Sequence, residues 1–366
     1  MMSGESPRPQ MSRRALGGMC ALVAIAVTWW CLSYTNTRSL IEDARKCRAD
    51  NPRQAERLLR RALDQEPSVN LEAQAVLASV LLQQSDWDAA ADLINDKLLN
   101  NAPTDALVEL AAQANKVHRR QLAHRVLTAV SQRPGPQQRT ALLQLIGSGE
   151  PGRTTYEMAP AALALAKLEP ENPRWWWLSV EAVSAGGDPS ELIDVLHTAI
   201  QQKLPPRDTT EFRHRLVDQT ILLGDAEAAR AAMSALESQR QVSPARLHIH
   251  RARLLRLEGH SRQALQELNR GLARFPNVPA KALRLRGIMQ MDIGNLDSAV
   301  VDLKRAAQSL KNDTILHYKL AECYRRLGKP QLAAQHRRRF QELKKQSAPD
   351  RNGTAPPPGD KVRHGQ

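Results

Sequence analysis

The chain has 366 residues, 42% of them hydrophobic but only 4% aromatic, with a formal net charge of +14. So few aromatic residues argue against one large globular core and favour thin helical layers filled by Ala and Leu. The four cysteines, Cys20, Cys31, Cys47 and Cys323, form no C-x-x-C pair, so a zinc site or a disulfide framework has no basis.

From Ala15 to Thr37 there is no charged residue. The stretch ALGGMCALVAIAVTWWCLSYT is long enough to cross hydrocarbon as a helix. Trp29, Trp30 and Tyr34 fall at its far end, where aromatic rings prefer the headgroup layer. Arg13 and Arg14 precede it, whereas Arg38 is followed by Glu42 and Asp43, so the charge balance places the N-terminus in the cytoplasm and the bulk outside. The expectation is a short basic tail over 1–14 and a membrane-spanning anchor over 15–36. Ala24-Ile-Ala26 would suit a signal-peptidase cut, but the apolar run continues through Leu32, which favours retention.

From residue 37 to 345 the chain reads as helix after helix. Gly259, Gly294 and Gly328 recur at a nearly constant interval of about 34 residues. Each is followed five positions on by Ala264, Ala299 or Ala333, and preceded seven positions back by Ala252, Gly287 or Ala321. Weaker copies of the phase run through Ala55, Leu59 and Ala62; Ala78, Trp87, Ala90 and Ile94; Ala111, Ala123 and Leu127; Gly187, Leu196 and Ala199; and Val217, Gly224, Ala229 and Met233. The unit near Pro136 to Pro170 is irregular, with IGSGEPGRTTYEMAP as a longer loop before a helix.

This pattern resembles the tetratricopeptide repeat, a helix–turn–helix unit of about 34 residues. Gly259, Ala264, Leu268, Gly271 and Pro276 fill positions 15, 20, 24, 27 and 32 of that repeat. The small residues let helices approach closely, the Gly ends the first helix and the Pro stops the second. The resemblance implies an all-α, right-handed superhelical solenoid of about nine hairpins, best matched over 245–345, whose first helices line a groove for other proteins. Residues 346–366 are Pro-, Gly- and charge-rich with no apolar face, and read as disordered.

No H-E-x-x-H, Walker loop, G-x-G-x-x-G or G-x-S-x-G occurs, so neither a metal, a cofactor nor a catalytic activity is expected. His248 and His250 point to different faces of a helix, and Glu169 and Glu171 sit at a helix end as solvated acids. Of Trp175, Trp176 and Trp177, consecutive on a helix, at most two can pack inward, leaving one as a candidate anchor for a partner.

The basicity is regional. Between Gln241 and Lys345 stand 22 Lys and Arg against 8 Asp and Glu, while the remainder of the chain is neutral. The groove-facing positions implied by the resemblance carry Arg246, His250, Arg253, Arg256, Lys281, Arg284, Lys319, Arg325 and Arg326. Arg forks suit carboxylates, so the expected partner is an acidic or carboxylate-terminated peptide. The carboxylate clamp known in the family uses Asn residues that these positions lack. The competing reading is a module that binds anionic polymer, namely nucleic acid, cell-wall polymer or lipid headgroups. Nucleic acid is disfavoured by export and by the lack of stacking aromatics near the patch. The sequence therefore predicts a non-catalytic scaffold at the cytoplasmic membrane, facing the periplasm.

Overall fold

The computed structural model describes residues 36–65, 70–147, 154–239, 242–275 and 277–347. The expected anchor over 15–36 lies almost wholly outside these residues, and among those described no helix is long and apolar enough to cross a membrane. The described residues are helical throughout, with no strand. They fall into two compact units, 1–187 and 188–366.

Unit 1 opens with α1 over 36–47, which begins on the residue where the anchor was expected to end. It continues with α2 Pro52–Gln65, α3 Leu71–Gln83, α4 Trp87–Leu93, α5 Asp96–Asn101, α6 Thr104–Lys116, α7 Arg120–Ser131, α8 Pro136–Gly147, α9 Ala159–Leu168 and α10 Pro173–Ser184. The irregular unit anticipated near Pro136 is real: a 3-10 turn, Tyr156–Met158, separates α8 from α9. The second helix of the second hairpin is broken in two. At the break the Asn95 side chain accepts from the Leu98 N–H at 2.9 Å, capping α5 as a fresh helix.

Unit 2 comprises α11 Pro189–Ile200, α12 Pro206–Leu223, α13 Ala226–Glu237, α14 Pro244–Leu257, α15 Ser261–Leu272, α16 Ala280–Asp292, α17 Leu296–Ser309, α18 Thr314–Arg326 and α19 Pro330–Ser347. After α11 these pair as four hairpins, α12–α13, α14–α15, α16–α17 and α18–α19. The last helix runs on briefly into the stretch expected to be disordered. Across both units, seven described helices begin on Pro, whose fixed φ suits a first turn and whose missing N–H costs nothing there.

One turn recurs through the fold. Gly224, Gly259, Gly294 and Gly328 all adopt the left-handed conformation, with φ between 69° and 86°. At each, the N–H of the next residue bonds back to the last turn of the first helix. Asp225 reaches the Thr220 carbonyl, His260 that of Leu255, Asn295 that of Gln290, and Lys329 that of Tyr324. The two earlier hairpins make the same turn without glycine. Ser85 (φ 65°) and His118 (φ 60°) are the only non-glycine residues described with a positive φ, and Asp86 and Arg119 make the equivalent bonds to Leu81 and Ala114.

The residues that carried the repeat phase are the core. Ala55, Leu59, Ala62, Ala78, Ala90, Ala111, Leu127, Ala229, Ala252, Ala264, Leu268 and Ala299 are all buried. Small size matters most where two helices touch. A Cβ added at Gly287 would lie 2.7 Å from Leu303 Cγ and 3.2 Å from the Ala299 carbonyl, and one at Gly271 would meet His248 Cβ at 2.8 Å.

Two substitutions separate these constraints. Ser85→Gly relieves a left-handed L-residue and is expected to raise unfolding stability by about 0.5–1 kcal/mol in urea titration. Gly287→Ala gains helix propensity but wedges α16 off α17, for a net loss of about 1–3 kcal/mol. A neutral Gly287→Ala would mean that α16 and α17 are not in van der Waals contact there.

Candidate functional site

The nine cations and histidines expected to face a partner lie in unit 2, on α14, α16 and α18. The structure brings them onto successive first helices, but most are already engaged. Arg246 grips Glu211 of α12 with both terminal nitrogens, at 2.5 and 3.1 Å. Arg253 pairs with Asp218 of α12, Arg256 with Asp292 of α16 at 2.6 Å, and Arg284 with Asp313 at the start of α18. Arg326 donates to the Met291 carbonyl of α16 at 3.2 Å. These contacts span 29 to 36 residues, one repeat to the next. They form a ladder that ties neighbouring first helices together. Lys319 pairs within its own helix, with Glu322 at 2.9 Å. Lys281 and Arg325 are exposed without an acidic partner among the described residues.

His250 is not offered to a ligand, because it is only 4% exposed. Its Nε2 lies 2.9 Å from Nδ1 of His214, and its Nδ1 lies 3.3 Å from Asp218 Oδ1. An Asp218 carboxylate on that side favours the proton on His250 Nδ1, so His214 donates to His250. Burial, then Arg246, then His250 hold the His214 pKa down to about 4. Burial raises Asp218, but the bond from His250 and the Arg253 charge more than offset that and keep it ionised. His248, two positions away, faces α15 and meets Glu267 at 2.8 Å, as its placement on another helix face requires. A second histidine pair joins the last two helices. His317 Nε2 donates to the Lys311 carbonyl at 3.0 Å, so its Nδ1 accepts from His336 Nδ1 at 3.2 Å. Burial, then His317 and Lys304, lower the His336 pKa as well.

Three further features read from the sequence resolve in the structure. Trp175 and Trp176 are buried and Trp177 half-buried, so two of the three indoles pack inward. The indole N–H groups of the first two donate to Glu169 at 2.7 Å and to the Pro170 carbonyl at 3.0 Å. Glu169 is therefore not the idle solvated acid expected. Hydrogen bonds from Arg139, Trp175 and Asn172 hold its pKa at about 2, whereas Glu171 is exposed. Cys47 and Cys323 are free thiols, and burial raises the Cys323 pKa to about 11, leaving it inert at neutral pH. Among the described residues no three acidic, His or Cys side chains cluster to hold a metal.

Sequence alone could have found the ladder, because Glu211 and Asp218 stand 35 residues before Arg246 and Arg253. Nearly the same spacing sets His214 36 residues before His250, although nothing in the residue type marks two histidines as partners as opposite charges do.

Residues 47–106 match the family model described as Tetratricopeptide repeat. No curated protein matches the chain in sequence. Among solved structures it is similar to the APC/C hetero-tetramer Cut9–Hcn1 (13% identity, 81% of this chain and 70% of that one, TM-score 0.43). It is also similar to MamA from Desulfovibrio magneticus (17%, 48% and 96%, TM-score 0.36) and to the TPR domain of P58(IPK) (17%, 84% and 93%, TM-score 0.29). All three superpose weakly over their length.

The buried histidines make unit 2 acid-sensitive. A histidine whose folded pKa lies below its unfolded value of about 6.5 stabilises the fold above that pH. The contribution is lost as pH falls from about 6.5 to about 4, by at most about 3 kcal/mol for His214. Urea midpoints should drop across that window, and His214→Gln should flatten the drop. Parallel profiles for the two proteins would show that His214 is not the group responsible.

Proposed function

We propose that the chain is a non-catalytic adaptor, tethered to a bacterial cytoplasmic membrane through residues 15–36, with its repeats on the periplasmic side. Its first-helix face in unit 2 binds acidic segments of other proteins in an envelope assembly. Repeats of this kind generally serve as protein-binding scaffolds. The observation that favours a protein partner over a bare anionic polymer is the mixture on α18: Ile315 and Tyr318 are 56% and 49% exposed, on the same helix as exposed Arg325. Large apolar groups set beside an unpaired guanidinium suit a peptide with both apolar and acidic side chains. The polymer reading would be met by charge alone.

Of the cations first expected to bind, Lys281 and Arg325 have no partner among the described residues, and Arg326 is held only by the Met291 carbonyl. Those paired with carboxylates would have to exchange one carboxylate for another, and such an exchange gains little. The tether rests on the uncharged run from Ala15 to Thr37 and on the arginines before it.

In-cell photocrosslinking from position 281 should give a small, reproducible set of proteins, found in the membrane fraction. Removing residues 1–37 should release the chain into the soluble fraction. External protease reaching the repeats only after the outer membrane is opened would support the periplasmic placement. Crosslinks only to nucleic acid or glycan would overturn the adaptor reading, and protection of the repeats after that opening would reverse the topology.

A further inference from the structure

In unit 2 each hairpin leaves a cleft between its two helices, and the next first helix fills it. The α14–α15 cleft takes α16: Ala252 and Ala264 are buried in one cluster with Ala282 and Met289, and the partly buried Leu285 packs against it. The α16–α17 cleft takes α18, where Ala299 and Leu303 are buried with Leu316, Leu320 and Cys323. The incoming helix therefore presents apolar residues three or four, and seven, positions apart. The last hairpin keeps the receiving pattern, with Ala321 and Ala333 each standing one repeat after Gly287 and Ala299. Both are only half-buried, and among the described residues no helix follows α19 to cover them.

The uncovered cleft has a volume of about 490 Å³. Ala321, Ala333 and Ala334 floor it, and Tyr318 and Phe340 wall it, their ring centroids 5.6 Å apart. Its rim carries Arg325 and Arg337, both exposed and unpaired among the described residues, while the one acid, Glu322, is taken by Lys319. Small floor residues at helix-receiving positions select a helix, and the unpaired guanidinium groups select its charge.

We propose that this terminal cleft docks an amphipathic helix from a partner protein, apolar at the spacing that α16 and α18 use and acidic along its flanks. The proposal rests on the adaptor reading and shares with it only Arg325 among the first-helix cations. The occupant would stand where a further repeat's first helix would stand, and it would bury Ala321 and Ala333 as the fold buries their counterparts.

The test uses the full chain and a labelled synthetic helix of about five turns, with Leu along one face at that spacing and Glu on the flanks, read by fluorescence anisotropy. The Glu peptide should bind at least about tenfold more tightly than a version with Lys on the flanks. Ala334→Arg, at an exposed position on the cleft floor, should abolish binding. Arg325→Glu combined with Arg337→Glu should weaken it about tenfold, whereas Lys281→Glu on α16 should leave it within about twofold. Equal affinity for both peptides, no binding of either, or loss on Lys281→Glu alone would overturn the proposal. So would a dimer that Ala334→Arg dissolves, since the occupant would then be a second copy. A gain of about tenfold in peptide affinity on truncation after Ser347 would also overturn it, by making the chain's own last residues the occupant. If the peptide fails while the crosslinks from position 281 persist, the cleft falls and the adaptor reading stands.

Discussion

A hairpin of two short helices cannot bury its apolar side by itself, and every regularity of this fold follows from that. The helices must lie against each other and against the next pair, and they can do so closely only where one partner has almost no side chain. Gly287 makes the limit concrete, since a single methyl there would sit 2.7 Å from Leu303 Cγ. Where the contact is slightly looser, Ala suffices, as at Ala252 beside α16. The same requirement explains the composition. A chain that builds its core from stacked thin layers has much use for Ala and Leu and little for aromatic rings.

The repeat was legible because these constraints act on residue type. Small contact residues and left-handed glycines leave letters in the sequence, and Gly259, Gly294 and Gly328 marked three turns whose geometry the structure reproduces. Ser85 and His118 show where that legibility ends. They make the same left-handed turn with the same bond to the helix before, at a conformational cost of about 1 kcal/mol that the surrounding packing absorbs. A turn defined by backbone conformation can be made by a residue that does not advertise it. The break between α4 and α5 was hidden for a similar reason, because Asn95 is an ordinary polar residue until its side chain is seen capping the next helix.

The binding face was less legible, because a list of cations does not show who holds them. Counting charges from Gln241 to Lys345 gives a strongly basic region. The structure shows that seven of its eight acidic residues, all but Asp297, are in ion pairs. Arg286 and Asp302 are the most enclosed of these, joined by two bonds of 2.7 Å across α16 and α17. Arg246, Arg253, Arg256 and Arg284 then serve first as struts between successive helices. Residues assigned by the resemblance to ligand contact thus have a prior structural occupation, while His250 is sealed against His214. Family position put these residues on first helices, but could not tell a strut from a free charge.

That distinction fixes where recognition can occur. A guanidinium already bonded to a carboxylate is oriented and half-desolvated, so a second carboxylate must displace the first and gains only the difference between them. An unpaired guanidinium offers the whole interaction. Two of the unpaired cations, Arg325 and Arg337, stand on the last hairpin beside helix-receiving alanines that are only partly covered among the described residues, whereas Lys281 stands on α16. A stack spends its complementary surface on itself wherever one hairpin meets the next, so a hairpin whose outer side no described helix covers keeps its apolar and electrostatic complementarity unspent.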